Sequence, residues 1–335
     1  MRGFDDIIGQ NAVVEHIRNA IAAGKPSHAY IFCGDEGTGK KTLAERFAAG
    51  LLCESGDSSD KPCGSCIPCM QSMSGSHPDI IRVTHEKKNI TVGDIREQVV
   101  GDIQIKPYSG QFKIYIIDDA DKMNEEAQNA ILKTLEEPPA YAVLLLLART
   151  TGTFLQTILS RCVLLRFAPL DNKVIKDYLI KTLQIPDYLA KLCASFSNGS
   201  IGRALKYATN EGFGEAREKL IGLVRNIDRM TMAEIAAELN ALNPSKNPNA
   251  PIPFEDFLDL LAIWYHDVLI YKATANPNNL VFLSELDLIR AQAKDNDYER
   301  ISDIINAIDK TRARLAANVY FDVAVELLLI KIKGK

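Results

Sequence analysis

Ala29-Tyr30-Ile31-Phe32-Cys33, then Gly34-Asp35-Glu36-Gly37-Thr38-Gly39-Lys40, then the helix-forming run Lys41 to Leu52 follow one another without a break. An apolar strand, a glycine loop and a helix in this order make a phosphate cradle. The glycines let backbone N–H groups curl around phosphate oxygens, the helix start adds positive potential, and Lys40 can reach the outer phosphates. Gly34, Gly37, Thr38, Gly39 and Lys40 are therefore candidate nucleotide-binding residues. Short apolar runs recur at Ile80–Val83, Lys113–Ile117, Val143–Ala148 and Val163–Phe167, with helix-like stretches between them. One such stretch, Asn124 to Glu137, carries Ala127, Ala130, Ile131, Thr134 and Leu135 at helical spacing and is stopped by Pro138 and Pro139. The alternation predicts a parallel sheet covered by helices.

The loop departs from a working phosphate loop at one position. Ser or Thr normally follows the Lys, because its hydroxyl ligates Mg²⁺. Here Lys41 stands there and Thr42 comes one residue late. A helix turns about 100° per residue, so the Thr42 hydroxyl should point away from a metal, while Lys41 adds a positive charge where a cation would sit. The acidic partner is the run Ile114-Tyr115-Ile116-Ile117-Asp118-Asp119. Asp118 ends an apolar strand, where a carboxylate holds the metal in hydrolysing enzymes. Asp119 follows where such enzymes usually carry a Glu that polarises water. Its reach is shorter by about 1.5 Å, a displacement large enough to cost orders of magnitude in rate. A helix-capping or solvated role for Asp119 carries equal weight. Lys41, Thr42, Asp118 and Asp119 thus join the candidate site in degenerate form.

Seven cysteines occur. Cys53, Cys63, Cys66 and Cys69 have the spacing C-x9-C-x2-C-x2-C, which can close a tetrahedral thiolate shell around structural Zn²⁺. The insertion Glu54 to Pro62 is polar and rich in Gly and Ser, so a metal explains how it is held. A ferredoxin cluster uses other spacings. Cys33, Cys162 and Cys193 are isolated and read as small buried hydrophobes.

The 335 residues suggest two or three domains at about 150 residues each. With 47% hydrophobic and 24% charged residues, the chain is globular rather than disordered or rod-like. A net charge of −4 argues against gripping nucleic acid over the whole surface. The N-terminus has no apolar signal region and no apolar run reaches the roughly 20 residues of a membrane helix, so a cytoplasmic protein is expected. Strand signals stop after Pro169. Short helical patterns follow through Val174, Tyr178 and Leu179, Tyr188 to Phe196, and Ile201 to Ala208. Longer apolar stripes come next, at Met232, Ile235, Ala236, Leu239 and Leu242, and from Phe254 to Leu269. A last helical segment runs from about Tyr298 to Ile332. Asn243 to Pro253 holds four prolines and reads as a loop.

Several motifs occur in the order found in bacterial clamp-loader subunits of the AAA+ class. They are Phe4-Asp5-Asp6-Ile7-Ile8-Gly9-Gln10, Ser27-His28-Ala29-Tyr30, the phosphate loop, the cysteine module, His77-Pro78-Asp79, Asn129 to Pro139, and Ser160-Arg161-Cys162. The chain resembles that family by motifs over residues 1 to about 210, and more weakly to the end. The resemblance implies an α/β plus all-α protein: an AAA+ RecA-like parallel-sheet domain at 1–168 with a zinc module at 53–69, a small helical lid at 169–212, and a C-terminal helical collar at 213–335. It implies a DNA polymerase III clamp loader, in which a hetero-oligomer uses ATP to place a sliding clamp on primed DNA. Two subfamilies share the motifs, the gamma/tau ATPase motors and the delta-prime-type subunits. Lys41, Asp119 and Gly202 favour the second, since the motor pattern places its sensor arginine where Gly202 stands and Arg203 falls one residue late. Mg-ATP is then not expected as a working cofactor of this chain. Arg161 is implied as an arginine finger, reaching into the ATP site of a neighbouring motor subunit. The implied partners are gamma/tau, the delta subunit and, indirectly, the clamp and primed DNA. A gamma/tau-type motor that hydrolyses ATP itself is the alternative, and a metal-stabilised interaction module outside replication is a third. Lys87 and Lys88 read as a solvated face, with DNA as the alternative implied by the resemblance.

Overall fold

The computed structural model describes all residues except 1, 2, 6, 57–60, 87–88, 228, 243–246, 248–251, 318 and 334–335. Lys87 and Lys88, much of the Asn243–Pro253 segment and part of the Glu54–Pro62 insertion thus lie outside the described residues. The chain forms two compact units, Met1–Leu170 with Ser200–Gly202, and Asp171–Gly199 with Arg203–Lys335.

The first unit is a parallel sheet of strands β1 (Ala29–Cys33), β2 (Ile80–Val83), β3 (Lys113–Ile117), β4 (Ala142–Ala148) and β5 (Val163–Arg166), ordered β2-β3-β4-β1-β5. All five expected strands are present, within a residue at each end. Helices α1 (Asn11–Ala23), α2 (Lys40–Leu52), α3 (Ile67–Ser74), α4 (Val92–Ile95), α5 (Glu125–Glu136) and α6 (Gln156–Leu159) surround it, and a π-helical turn, Arg96–Val100, continues α4.

Alternate residues of each strand feed opposite faces. Ile31, Tyr115, Ile117, Leu144 and Leu146 pack with Ile131 and Leu135 of α5. Tyr30, Phe32, Ile114, Leu145 and Leu147 pack with Ile17 of α1 and with Leu43 and Phe47 of α2. β4 is buried along its whole length, as expected of a central parallel strand covered on both faces. Each fully buried Leu there contributes roughly 1.5–3 kcal/mol. The α5 start is set by Asn124, whose Oδ1 accepts from the Ala127 N–H at 2.9 Å. This is a side-chain cap of the first turn.

His77-Pro78-Asp79 proves to be a structural clasp. Asp79 is buried, and its carboxylate accepts from the backbone N–H groups of Tyr108, Ser109 and Gly110 and from the Ser109 hydroxyl. The Asp79 N–H in turn donates to His77 Nδ1 at 3.1 Å. The clasp ties the start of β2 to the loop entering β3.

The second unit is helical: α7 (Asn172–Leu183), α8 (Asp187–Phe196), α9 (Ile201–Thr209), α10 (Glu211–Asn226), α11 (Met232–Asn240), α12 (Phe254–Thr274), α13 (Leu286–Asp295), α14 (Tyr298–Ala316) and α15 (Phe321–Lys333). The first two residues of α9 count with the first unit. α12 is the axial element. Its Trp264 and Tyr265 are buried, and Trp264 Nε1 donates to Gln292 of α13 at 2.8 Å. The segment expected as one helix from Tyr298 to Ile332 is two, α14 and α15, packed on each other. Each lays an apolar face on the bundle, so helical periodicity runs through both and hides the break. Among the described residues no helix is long and apolar enough to cross a membrane.

Burial alone would raise the Asp79 pKa, but the four donors outweigh it and hold the carboxyl below its ordinary 3.8. A depressed folded pKa means this stabilisation is complete above the unfolded value and is lost as pH falls through the folded one. Asp79→Ala leaves buried donors unpaired and should cost about 2–3 kcal/mol in urea titration at neutral pH. That deficit should shrink on going below about pH 4.

Candidate nucleotide loop and cysteine centre

The carboxyl ends of β1, β3 and β4 lie side by side, so the phosphate loop, Asp118 and Arg149 converge. Gly37 and Gly39 have φ of +75° and +96°, the left-handed region that favours glycine, and this turns the loop back so that α2 starts at Lys40. The first N–H groups of α2 lack intrahelical partners, as at any helix start, and offer an anion site. The Lys40 ammonium lies across the cradle on the loop's own carbonyls, Gly34 O and, at 2.7 Å, Asp35 O. Thr38 Oγ1 also donates to Asp35 O at 2.7 Å. Burial and the neighbouring Arg149 guanidinium lower the Lys40 pKa. Arg149 itself pairs with Glu36 at 2.9 Å, a residue at the site that the motifs did not single out.

Two of the degenerate positions pair with each other. Lys41 Nζ sits 3.2 Å from Asp118 Oδ2. Asp119, at φ +51°, places Oδ2 at 2.6 Å from Lys122. That hydrogen bond, against a burial cost, holds the Asp119 carboxyl below its ordinary range. Thr42 is exposed and lines a cleft of about 180 Å³ beside Cys69, Ser72 and Met73. The cleft lies on the cysteine side of α2, as the one-residue offset requires. These residues do not fit Mg²⁺: an ammonium replaces the ligating hydroxyl and covers the carboxylate that would hold the ion.

Ser200 Oγ donates to Glu36 O at 2.8 Å, and the Gly202 N–H donates to Gly37 O at 2.9 Å. A Cβ at Gly202 would stand 2.8 Å from Gly37 Cα and 3.0 Å from Gly37 O. The position where motors place an arginine is therefore closed to any side chain by the loop backbone. Arg203 turns to the Tyr207 hydroxyl, at 3.4 Å, which also contacts Asp256.

Arg161 follows α6. Its guanidinium pairs with Glu136 at 3.0 Å and donates to Thr157 O at 2.9 Å, and it is about one-third exposed. Both terminal nitrogens of the guanidinium are engaged, Nη2 by Glu136 and Nη1 by Thr157 O and the Ser160 hydroxyl, while about a third of the side chain stays open to solvent.

Cys53, Cys63, Cys66 and Cys69 bring their sulfurs within 4.8 Å of one another. The Cys53–Cys66 separation is 3.9 Å. Zinc–sulfur bonds of about 2.3 Å give tetrahedral edges of about 3.8 Å, so the donor set fits such an ion. The Cys63 N–H faces Cys53 Sγ and the Cys66 N–H faces Cys63 Sγ, both at 3.4 Å. Backbone donors of this kind favour thiolate, although at Cys53 and Cys69 burial outweighs them and raises the thiols. The Ser65 hydroxyl on Cys63 Sγ, with backbone donors, pulls that thiol down to about 6. Burial pushes Cys162 and Cys193 up to about 12, in keeping with inert packing residues.

Two family models match the chain, one described as DNA polymerase III, delta subunit, over residues 9–171, the other as its C-terminal part over residues 212–332. The chain belongs to the DNA polymerase III delta subunit family, and its parallel-sheet first unit and helical C-terminal region are those its motifs lead one to expect. Subunit delta' of Bacillus subtilis is 29% identical over 97% of this chain and 96% of its own length. Subunit tau of the same organism is 27% identical over 96% of this chain and 60% of its own length, so the chain spans about three-fifths of that relative. A gamma subunit-related protein of Thermotoga maritima is 18% identical, with 96% of this chain and 98% of that one covered at a TM-score of 0.49.

Gly202→Arg should not rebuild a motor site. The added side chain meets backbone, and such overpacking costs about 1–3 kcal/mol. Thermal denaturation should show this loss, and a fully stable variant would show that Gly37 yields.

Proposed function

We propose that this chain is a delta-prime-like subunit of a DNA polymerase III clamp loader, a stator that performs no ATP hydrolysis of its own and lends Arg161 to a neighbouring motor subunit. The observation that carries it is the Lys41–Asp118 ion pair at the place of the catalytic metal. The end-to-end match to a delta' relative supports the same reading, as does Gly202 against the phosphate loop. The partners are gamma/tau-type motors and a delta-type subunit in a hetero-oligomer, with the sliding clamp and primed DNA reached through the complex. Residues 169–212, which fall in the second unit except for 169–170 and 200–202, act as the lid, and 213–335 as the collar that holds the ring. The setting is cytoplasmic.

Arg161 acts by geometry and charge. Its planar fork rests on Glu136, Thr157 O and Ser160 at the surface, and on assembly it can exchange these exposed contacts for a partner's γ-phosphate as charge spreads over the transferring oxygens. Reconstitution with gamma/tau and delta subunits tests it. Arg161→Ala should leave assembly intact by size exclusion and slow the motor site facing this chain by about 10³-fold or more, lowering DNA-stimulated ATPase. Arg161→Lys keeps the charge, loses the fork and should rescue little. Unchanged turnover in both would remove Arg161 from the mechanism.

Zn²⁺ closes the cysteine shell and fixes Cys63, Cys66 and Cys69 beside the end of α2 at Cys53. Elemental analysis should find about one zinc per chain under reducing conditions. Cys69→Ser should lose it and lower the unfolding midpoint, and a zinc-free chain of unchanged stability would contradict the assignment.

A further inference from the structure

The phosphate loop of this chain keeps its shape although its metal site is gone, and the residue that removed the metal is itself a cation. We propose that Lys41 is a resident counterion in the place of magnesium, and that the loop binds a linear polyphosphate chain, of the kind a nucleoside triphosphate carries, without a divalent ion. This rests on reading residues 34–42 as a retained phosphate loop in a subunit that does not hydrolyse.

Three observations carry it. The ammonium stands 3.2 Å from Asp118 Oδ2, on the carboxylate that a metal would need. An ammonium has three N–H donors and no lone pair, so it cannot ligate a metal. One donor spent on Asp118 leaves two for phosphate oxygens, and Lys41 can thus bridge carboxylate and phosphate as a metal would. Next, Asp119 is held by Lys122 at 2.6 Å, so a dication arriving at Asp118 would find the adjacent carboxylate already paired and a positive neighbour. Finally, the anion-binding half is built. Gly37 and Gly39 turn the loop, Lys40 lies across the cradle, and Ser200 and Gly202 pin the carbonyls of Glu36 and Gly37. Lys41 and Asp118 are 63% and 50% exposed, so a ligand can reach the pair, and substitution at Lys41 does not disturb the core.

Equilibrium dialysis of the full chain with labelled ATP tests the proposal, with and without added magnesium chloride, and with ADP and sodium tripolyphosphate as competitors. The wild type should bind ATP equally well or more weakly when magnesium is added. Lys41→Ala should weaken metal-free binding about tenfold or more, since it removes a charge-assisted contact. Lys41→Thr, which restores the hydroxyl and frees Asp118, should bind about tenfold tighter with magnesium than without. ATP outcompeting tripolyphosphate identifies the source as a nucleotide, and equal competition identifies it as free polyphosphate; both support the site. Wild-type binding that tightens about tenfold on adding magnesium would overturn the proposal. So would unchanged binding by Lys41→Ala, or no binding of any of the three at millimolar concentration. These results are independent of Arg161. Its failure in the reconstituted complex would leave them standing, and their failure would leave the arginine finger untouched.

Discussion

An ammonium resting on a carboxylate at the end of β3 sets the character of the molecule. A phosphate loop hydrolyses nucleotide only when a hydroxyl and a carboxylate share a dication between them. With Lys41 on Asp118, the two groups neutralise each other and the dication has no place. The pair is exposed and is worth little as a contribution to stability, at most about 1 kcal/mol. Its importance is chemical, because it decides which cation occupies the site.

The rest of the first unit holds this arrangement still. The sheet presents β1, β3 and β4 in neighbouring positions, so the loop, Asp118 and Arg149 are fixed by a core buried on both faces. Asp79 clasps the entrance to β3 from the opposite end of the strand. Gly202 presses on Gly37 so closely that a side chain there is excluded. The Ser200 hydroxyl and the Gly202 N–H hold the carbonyls of Glu36 and Gly37 in the loop. Rigidity around the phosphate loop and an anchored, part-open guanidinium at Arg161 suit the proposed stator role.

Much of this was legible in the residues. The five strands stand out because each is a short apolar run bounded by turn residues, and helix crossovers force such runs into a parallel sheet. The four cysteines declare a common centre by spacing alone, and the fold brings their sulfurs together. The consequence of Lys41 could be read as a displaced hydroxyl, from the angular step of a helix. That its ammonium lands on Asp118 could not, since 77 residues separate the pair in the chain and only the sheet order joins them. Arg149 was missed for a similar reason: an arginine after a strand has no local signature, and its role follows from β4 lying between β1 and β3. Asp79 looked like part of a family motif and proves to be a clasp for backbone donors more than 25 residues away. The α14–α15 break was hidden because both helices carry the same apolar period.

Single-turnover hydrolysis by the isolated chain, with protein in excess over γ-labelled ATP and magnesium present, measures the central claim most directly. The account predicts phosphate release no faster than in buffer. Release clearly faster than in buffer, and abolished by Lys40→Ala, would show that the ammonium on Asp118 gives way to a metal and that this chain is itself a motor.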